Sequence, residues 1–211
     1  MDMAARTGAW SPSGAPLPYL RRVAYLESHG TEYIDTLCRA TKNIAIKADI
    51  EPLEITGKSL IGFADENNKA FRLFNYGSSI YFDLTSSLTR YIGSTLKINE
   101  RCVIEFGNWY LKKDEIILLN NNFKDDASWS NTTIWLFGGN GNFINHYKAK
   151  ERIYSFALTN GESSISFLPV LDINGRPAMY DEVSGQLFYN QGTGEFTWGE
   201  LSQGQKKGGG V

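Results

Sequence analysis

Three carboxylates within six positions, in Asp49-Ile50-Glu51-Pro52-Leu53-Glu54, are the first residues whose types could do chemistry. On a strand, alternation projects Asp49 and Glu51 from one face, and two carboxyls about 5 Å apart can share the acid and nucleophile roles of glycoside cleavage. Pro52 lacks the N–H that a strand ladder needs and marks a strand end, which takes Glu54 out of the alternation. Glu105 stands alone between Ile104 and Phe106. No catalytic residues, and no enzyme, are expected from this pattern. The two histidines, His29 and His146, lie far apart and have no local Ser-His-Asp or Cys-His grouping. Gly138-Gly139-Asn140-Gly141-Asn142 is glycine-rich but lacks the lysine and following helix of a phosphate loop, so it reads as a β-turn.

The aromatic loops carry more. A sugar ring stacks its C–H face on an aromatic side chain, while Asn, Asp or backbone groups fix its hydroxyls. Trp129 sits in Asp125-Asp126-Ala127-Ser128-Trp129-Ser130-Asn131, a polar loop with no strand alternation to bury an indole. Trp109 and Tyr110 follow Gly107-Asn108 and straddle two faces of one strand, so one of them should face solvent. The expected carbohydrate-binding set is Trp129, Asp126 and Asn131, joined by Trp109, Tyr110, Asn140 and Asn142. Trp135 alternates with Phe137 and is expected in the core. Trp198 is expected to cap the end of the fold beyond the last hairpin.

These side chains need a scaffold, and the scaffold reads as strands. Ile44, Ile46, Ala48 and Ile50 alternate with polar residues, as a half-buried strand requires. Leu60–Phe63, Phe71–Tyr76, Ile80–Leu84, Cys102–Phe106, Trp109–Leu111, Glu115–Leu119, Thr133–Phe137, Ala149–Leu158 and Ser164–Leu171 follow. Gly107-Asn108 and Lys113-Asp114 are candidate turns, and Asn174-Gly175, Ser184-Gly185 and Gly192-Thr193-Gly194 are the closing hairpin turns, where glycine is expected to supply positive φ. No segment of ten or more residues sustains a helical period, so helix content should be low. Short strands spaced about 8–12 residues apart argue for an all-β, antiparallel two-sheet sandwich. With 211 residues the chain is long enough for one well-buried domain. Residues 1–18, with Trp10, Pro12, Pro16 and Pro18, read as an extended arm or linker, 19–198 as the sandwich, and 199–211 as a flexible tail.

Twenty-one basic and 23 acidic residues give a net charge of −2 without a basic block. Nucleic acid is therefore not an expected partner, and neutral sugars or proteins fit better. No apolar run reaches the ~18 residues that span a bilayer, and the N-terminus lacks a signal-peptide pattern. Cys38 and Cys102 are too few for a disulfide scaffold. Cys102 shares strand phase with Ile104 and Phe106 and reads as a small buried hydrophobe, and whether the two pair is left open.

Two segments carry a family resemblance. Tyr25-Leu26-Glu27-Ser28-His29-Gly30-Thr31-Glu32-Tyr33-Ile34-Asp35-Thr36 opens the domain. Arg152-Ile153-Tyr154-Ser155-Phe156 leads to Met179-Tyr180-Asp181-Glu182-Val183-Ser184-Gly185-Gln186-Leu187-Phe188-Tyr189-Asn190-Gln191-Gly192-Thr193-Gly194-Glu195-Phe196. Together they resemble the concanavalin-A-like (laminin-G-like) lectin-type β-sandwich domains of phage tail and other virion proteins and of gut-bacterial surface proteins. Leu26 stands for the family's Ile, Glu32 for its Gln, and one extra residue shifts Phe188-Tyr189. The resemblance implies a jelly-roll sandwich over about residues 19–198. It implies a structural segment at Tyr33-Ile34, pairing the first strand with the last ones, and another at Tyr180-Asp181 with Gly185, a hairpin held by side-chain hydrogen bonds.

Relatives of this class often hold calcium. Asp65-Glu66-Asn67-Asn68 and Asp125-Asp126 with Asn131 offer oxygens, but neither has a spaced calcium-loop pattern. No cofactor or metal ligand is expected, and calcium is the one ion the loops could take. The first functional expectation is a non-enzymatic lectin-like module of a phage virion that contacts host-surface glycan, with a bacterial surface or extracellular location as the alternative. Residues 1–18 would be a docking arm to other virion proteins or to further copies of the chain, or only a leader. The second is a structural virion or surface protein with protein partners alone. The third is a glycoside hydrolase.

Overall fold

The computed structural model of the chain describes residues 16–64, 70–76, 79–84, 89–94, 96–107, 110–120, 131–141, 148–161 and 163–202. The described residues contain strands and no α-helix. In chain order they are β1 (Tyr19–Arg22), β2 (Tyr25–His29), β3 (Ile34–Arg39), β4 (Ala45–Pro52), β5 (Thr56–Ala64), β6 (Ala70–Tyr76), β7 (Ser79–Leu84), β8 (Thr89–Ser94) and β9 (Cys102–Gly107). Then come β10 (Tyr110–Lys113), β11 (Ile116–Asn120), β12 (Thr133–Leu136), β13 (Lys150–Thr159), β14 (Ser164–Asp172), β15 (Pro177–Asp181), β16 (Leu187–Tyr189) and β17 (Thr197–Gly199).

All strand pairings are antiparallel and form two sheets. One has six strands in the order β3-β12-β5-β6-β7-β8. The other has eleven, with the path β11-β10-β9-β4-β13-β14-β15-β16, where β1 joins β14 and β2 bridges β13 and β17. The fold is an all-β two-sheet sandwich.

Alternation builds the core. Ile46, Ala48 and Ile50 of β4 turn inward while Lys47 and Asp49 turn outward, and Ile104 and Phe106 of β9 keep the same phase. From the six-stranded sheet, Ile61, Phe63, Phe71, Leu73, Ile80 and Phe82 face them, all buried. The two layers meet where the Phe106 ring lies 5.4 Å from Phe71 and 5.6 Å from Phe82. Each fully buried side chain of this size contributes about 1.5–3 kcal/mol.

Chain order places the two resembling segments together. β2 pairs with β17, and Phe196, just before β17, packs its ring 4.6 Å from Phe137. Tyr33 bonds the closing segment through its N–H to Asn190 Oδ1 (3.2 Å) and its carbonyl to the Gln191 N–H (2.9 Å), whereas Ile34 pairs with Leu136 of β12. The Glu32 carboxylate, buried at this junction, accepts from the His29 N–H (2.7 Å), Thr31 Oγ1 (2.9 Å), Ser28 Oγ (3.1 Å) and the Thr31 N–H (3.2 Å). Asp181 closes the β15–β16 hairpin by accepting from the N–H groups of Ser166, Val183 and Ser184.

Several sequence expectations change. Gly175 and Gly185 have positive φ (81° and 73°), but Gly192 and Gly194 do not. They are glycines because the backbone approaches so closely: a Cβ at 192 would sit 1.9 Å from the Thr31 carbonyl oxygen, and one at 194 would sit 1.9 Å from Glu32 Oε1. Trp135 is not core. Phe137 adopts a left-handed φ of 63°, which breaks the alternation, so Phe137 is buried while Trp135 faces outward and stacks 3.8 Å from Tyr33. Trp198 pairs with Leu26 on β2, in a strand that pairs with β2 alone among the described strands, and is 39% exposed. Residues 138–141 are not a simple β-turn. Asn140 bridges Phe63 in parallel, its N–H bonds the Gly62 carbonyl (3.0 Å), and its carbonyl accepts from the Ala64 N–H (2.7 Å). Both cysteines are free, Cys38 half-buried on the six-stranded sheet and Cys102 buried on the other, where burial pushes its thiol up to about 12. The arm at 1–15 and the tail at 203–211 lie outside the described residues.

Candidate functional site

The structure separates the expected sugar-binding residues. Trp109, Asp126, Trp129 and Asn142 lie outside the described residues, as do His146 and both candidate calcium loops apart from Asn131. Asn131 and Asn140 flank β12 of the six-stranded sheet, Asn140 through an isolated bridge to Phe63. The Asn140 amide nitrogen donates to the Thr133 carbonyl (3.1 Å) and Oγ1 (3.0 Å), and Asn131 Oδ1 is 3.5 Å from an Arg39 nitrogen. Thr133 Oγ1 in turn donates to Asp35 Oδ2 (2.9 Å). Asn140 therefore locks the 138–141 segment onto its neighbours, with its donor already engaged.

Tyr110 lies on the other sheet. Its surroundings follow from register across five strands on the solvent face. One row runs Thr159 (β13), Ala45 (β4), Gly107 (β9), Tyr110 (β10) and Asn120 (β11). The next runs Ala157, Lys47, Glu105, Lys112 and Ile117. Ala45, Gly107 and Ala157 keep the floor low. The Tyr110 ring lies over Gly107: a Cβ there would be 2.6 Å from ring atom Cε1. Two open depressions result. One, of about 270 Å³, is lined by Tyr110, Lys112, Ile117, Leu119 and Asn120. The other, of about 230 Å³, is lined by Ala45, Lys47, Glu105, Tyr110, Ala157 and Thr159, among others. Each is smaller than the ~300–1,000 Å³ clefts that enclose drug-sized ligands, and each is suited to one ring held against an aromatic face.

One anion and two cations set the local charge. Glu105 accepts from Lys47 Nζ at 2.6 Å and lies 3.4 Å from Lys112 Nζ. The hydrogen bond from Lys47 outweighs partial burial and holds the Glu105 carboxyl below its ordinary range, and the same contact raises the Lys47 ammonium. Burial, with the Glu105 charge second, raises the Tyr110 phenol, which stays neutral at physiological pH.

Asp49 and Glu51 share a face of β4, Glu54 lies beyond its end, and all three carboxylates are engaged. Arg101 grips Asp49 with two bonds (2.8 and 2.7 Å). Glu51 accepts from Arg152 (2.8 Å) and the Tyr154 hydroxyl (2.5 Å), and Arg152 also holds Glu27 (2.6 Å). Glu54 Oε1 accepts from the Lys150 N–H (3.1 Å). Arg101 and Arg152 cover the Tyr154 and Tyr25 rings at 3.8 and 4.7 Å. A β-bulge between Ile153 and Ser155 lets Tyr154 join this ladder. Such bidentate and ring-stacked pairs fix the β2–β13–β4 surface. Pro52 ends β4, as expected. His29 is half-exposed near Glu27 and Glu32. Among the described residues no group of three or more His, Cys, Asp or Glu side chains is placed to hold a metal ion.

Tyr110 was among the residues singled out in the sequence, but the floor beneath it was not. Ala45, Gly107 and Ala157 come from three strands and have no shared local pattern. In comparisons with known proteins, no family model matches the chain and no curated protein matches it.

Proposed function

We propose that this chain is a non-enzymatic, lectin-like β-sandwich module of the concanavalin-A-like type, carried on a phage virion and contacting host-surface glycan. The observation that carries this reading is the Tyr110 ring bordering two ring-sized depressions on a solvent-facing sheet. Exposed C–H faces of sugars stack on such a ring, and Asn120, Thr159, Glu105 and the lysines offer partners to hydroxyls. The resemblance of residues 25–36 and 152–196 supports the domain type and the virion setting. The engagement of Asp49, Glu51 and Glu54 by cations, a phenol and a backbone N–H supports binding over hydrolysis.

The test is a glycan array probed with the intact protein and with Tyr110→Ala, with and without calcium. Tyr110→Ala should lose about 1–3 kcal/mol of binding with nearly unchanged melting temperature. Unchanged binding would move the site elsewhere, and Trp129→Ala would then test the loop at 125–131.

The rival reading, a structural protein with protein partners only, draws on one feature. Strand β11 pairs only with β10 among the described strands, and its Ile116 and Ile117 are 66% and 58% exposed. An apolar edge of this kind favours strand addition by another chain.

A further inference from the structure

The charge arrangement around Tyr110 goes further than the presence of a sugar. Each depression has its own lysine, Lys47 in one and Lys112 in the other. Both point at one shared carboxylate, Glu105, which is placed between them in the cross-strand row. Glu115 approaches Lys47 only at 3.8 Å from a turn where its side chain is 75% exposed, and so it neutralises little. Two ammonium groups thus share one well-placed counter-ion. Both share a depression with the Tyr110 ring, and Lys112 Nζ lies 6.0 Å from the ring centroid. A neutral sugar would leave this imbalance unused, whereas a second anion supplied by the ligand would complete it.

We infer that the Tyr110 surface binds an acidic oligosaccharide, with successive rings in the two depressions and a carboxylate or sulfate held by Lys47 or Lys112. This inference rests on the proposed glycan-binding reading and narrows its ligand class. Glu105 then acts as a built-in competitor: the ligand's anion takes over part of its role, so Glu105 sets how strongly charge is favoured. Neutral glycans of the same backbone gain only the stacking on Tyr110 and the hydroxyl contacts.

The experiment is titration calorimetry of the full chain against oligosaccharides of uronic acids, sialylated glycans and sulfated glycans, each beside its neutral counterpart of equal length. Methyl-esterified uronates serve as neutral counterparts that keep the backbone. At least one acidic ligand should bind about tenfold or more tightly than its counterpart, with affinity falling as salt rises. Lys47→Gln and Lys112→Gln should remove that preference, weakening the acidic ligand about tenfold more than its neutral counterpart. Glu105→Gln should act oppositely and tighten the acidic ligand. Melting temperatures of all three variants confirm folding. Equal binding of acidic and neutral partners, or an acidic preference that survives both lysine variants, overturns the inference and leaves the glycan reading standing. Binding untouched by Tyr110→Ala moves the site elsewhere and overturns this inference alone, and no glycan binding at all overturns the glycan reading and this inference with it.

Discussion

Two buried glutamates respond to burial in opposite ways. Burial raises the Glu32 carboxyl, but hydrogen bonds from the His29 N–H, the Thr31 hydroxyl and the Thr31 N–H outweigh it and hold it below its ordinary value. Glu151 is fully buried opposite Ser28 and Pro52, with no hydrogen-bond partner for either oxygen among the described residues, and burial pushes it well above its ordinary value of 4.5. The sign of each linkage follows. Glu151 has a folded value above its unfolded one, so its contribution is full below pH 4.5 and is lost as pH rises through the folded value. The contribution of Glu32 is full above its unfolded value and is lost as pH falls through the folded one. Glu151→Leu should therefore raise the melting temperature at pH 8, by roughly 2–10 °C for about 1–3 kcal/mol, and flatten its decline above pH 4.5. Thermal scans from pH 4 to 9 check this, and a less stable variant at pH 8 would contradict it. Glu32→Ala orphans buried donors and should cost about 1–3 kcal/mol at pH 7 in denaturant titrations.

At the scale of elements, the glycines of the closing segment make a sharp comparison. Gly194→Ala drives a methyl group into Glu32 Oε1 and the Thr31 hydroxyl, and should cost about 2–4 kcal/mol through overpacking and loss of the buried network. Gly175→Ala meets nothing within 4 Å and should cost only the roughly 1–2 kcal/mol of a left-handed φ, less as Asn. Urea titration of the three variants checks the order. Elements were legible in the sequence where one face is buried and the period is clean. The inward Ile46, Ala48 and Ile50 of β4 and Ile80 and Phe82 of β7 repeat every second residue, and these strands lie where alternation puts them. Alternation failed where the backbone leaves the extended region. The left-handed Phe137 swaps the expected partner of Trp135, and the bulge at Tyr154 has no local residue signature. At the site, a solvent-facing aromatic at Trp109 or Tyr110 was legible but not which of the two, and the Gly107 beneath Tyr110 was read as a turn residue. Its role is to lie under the ring, a cross-strand fact. Gly107→Ala should displace the ring and weaken glycan binding about as much as Tyr110→Ala, with the Ile44 carbonyl 2.5 Å from the added carbon also costing stability.

For the whole molecule, the sandwich is closed by residues from its two ends. β2 and β17 are neighbours, and Phe196 fills the core against Phe137 although it lies far from the other core residues in sequence. Truncation after residue 195 should thus lower cooperativity and melting temperature throughout, visible in calorimetry as a smaller unfolding enthalpy. The closed scaffold holds the β13–β4–β9–β10–β11 face in register, and that register assembles the Tyr110 surface. Hydrogen–deuterium exchange with and without the strongest glycan from the array tests this central claim most directly. The account predicts slowed exchange in peptides covering Ala45–Lys47, Glu105–Gly107 and Tyr110–Asn120, with little change at 131–141. Protection confined to 131–141 and the adjoining loop residues, with β9 to β11 unaffected, would contradict it.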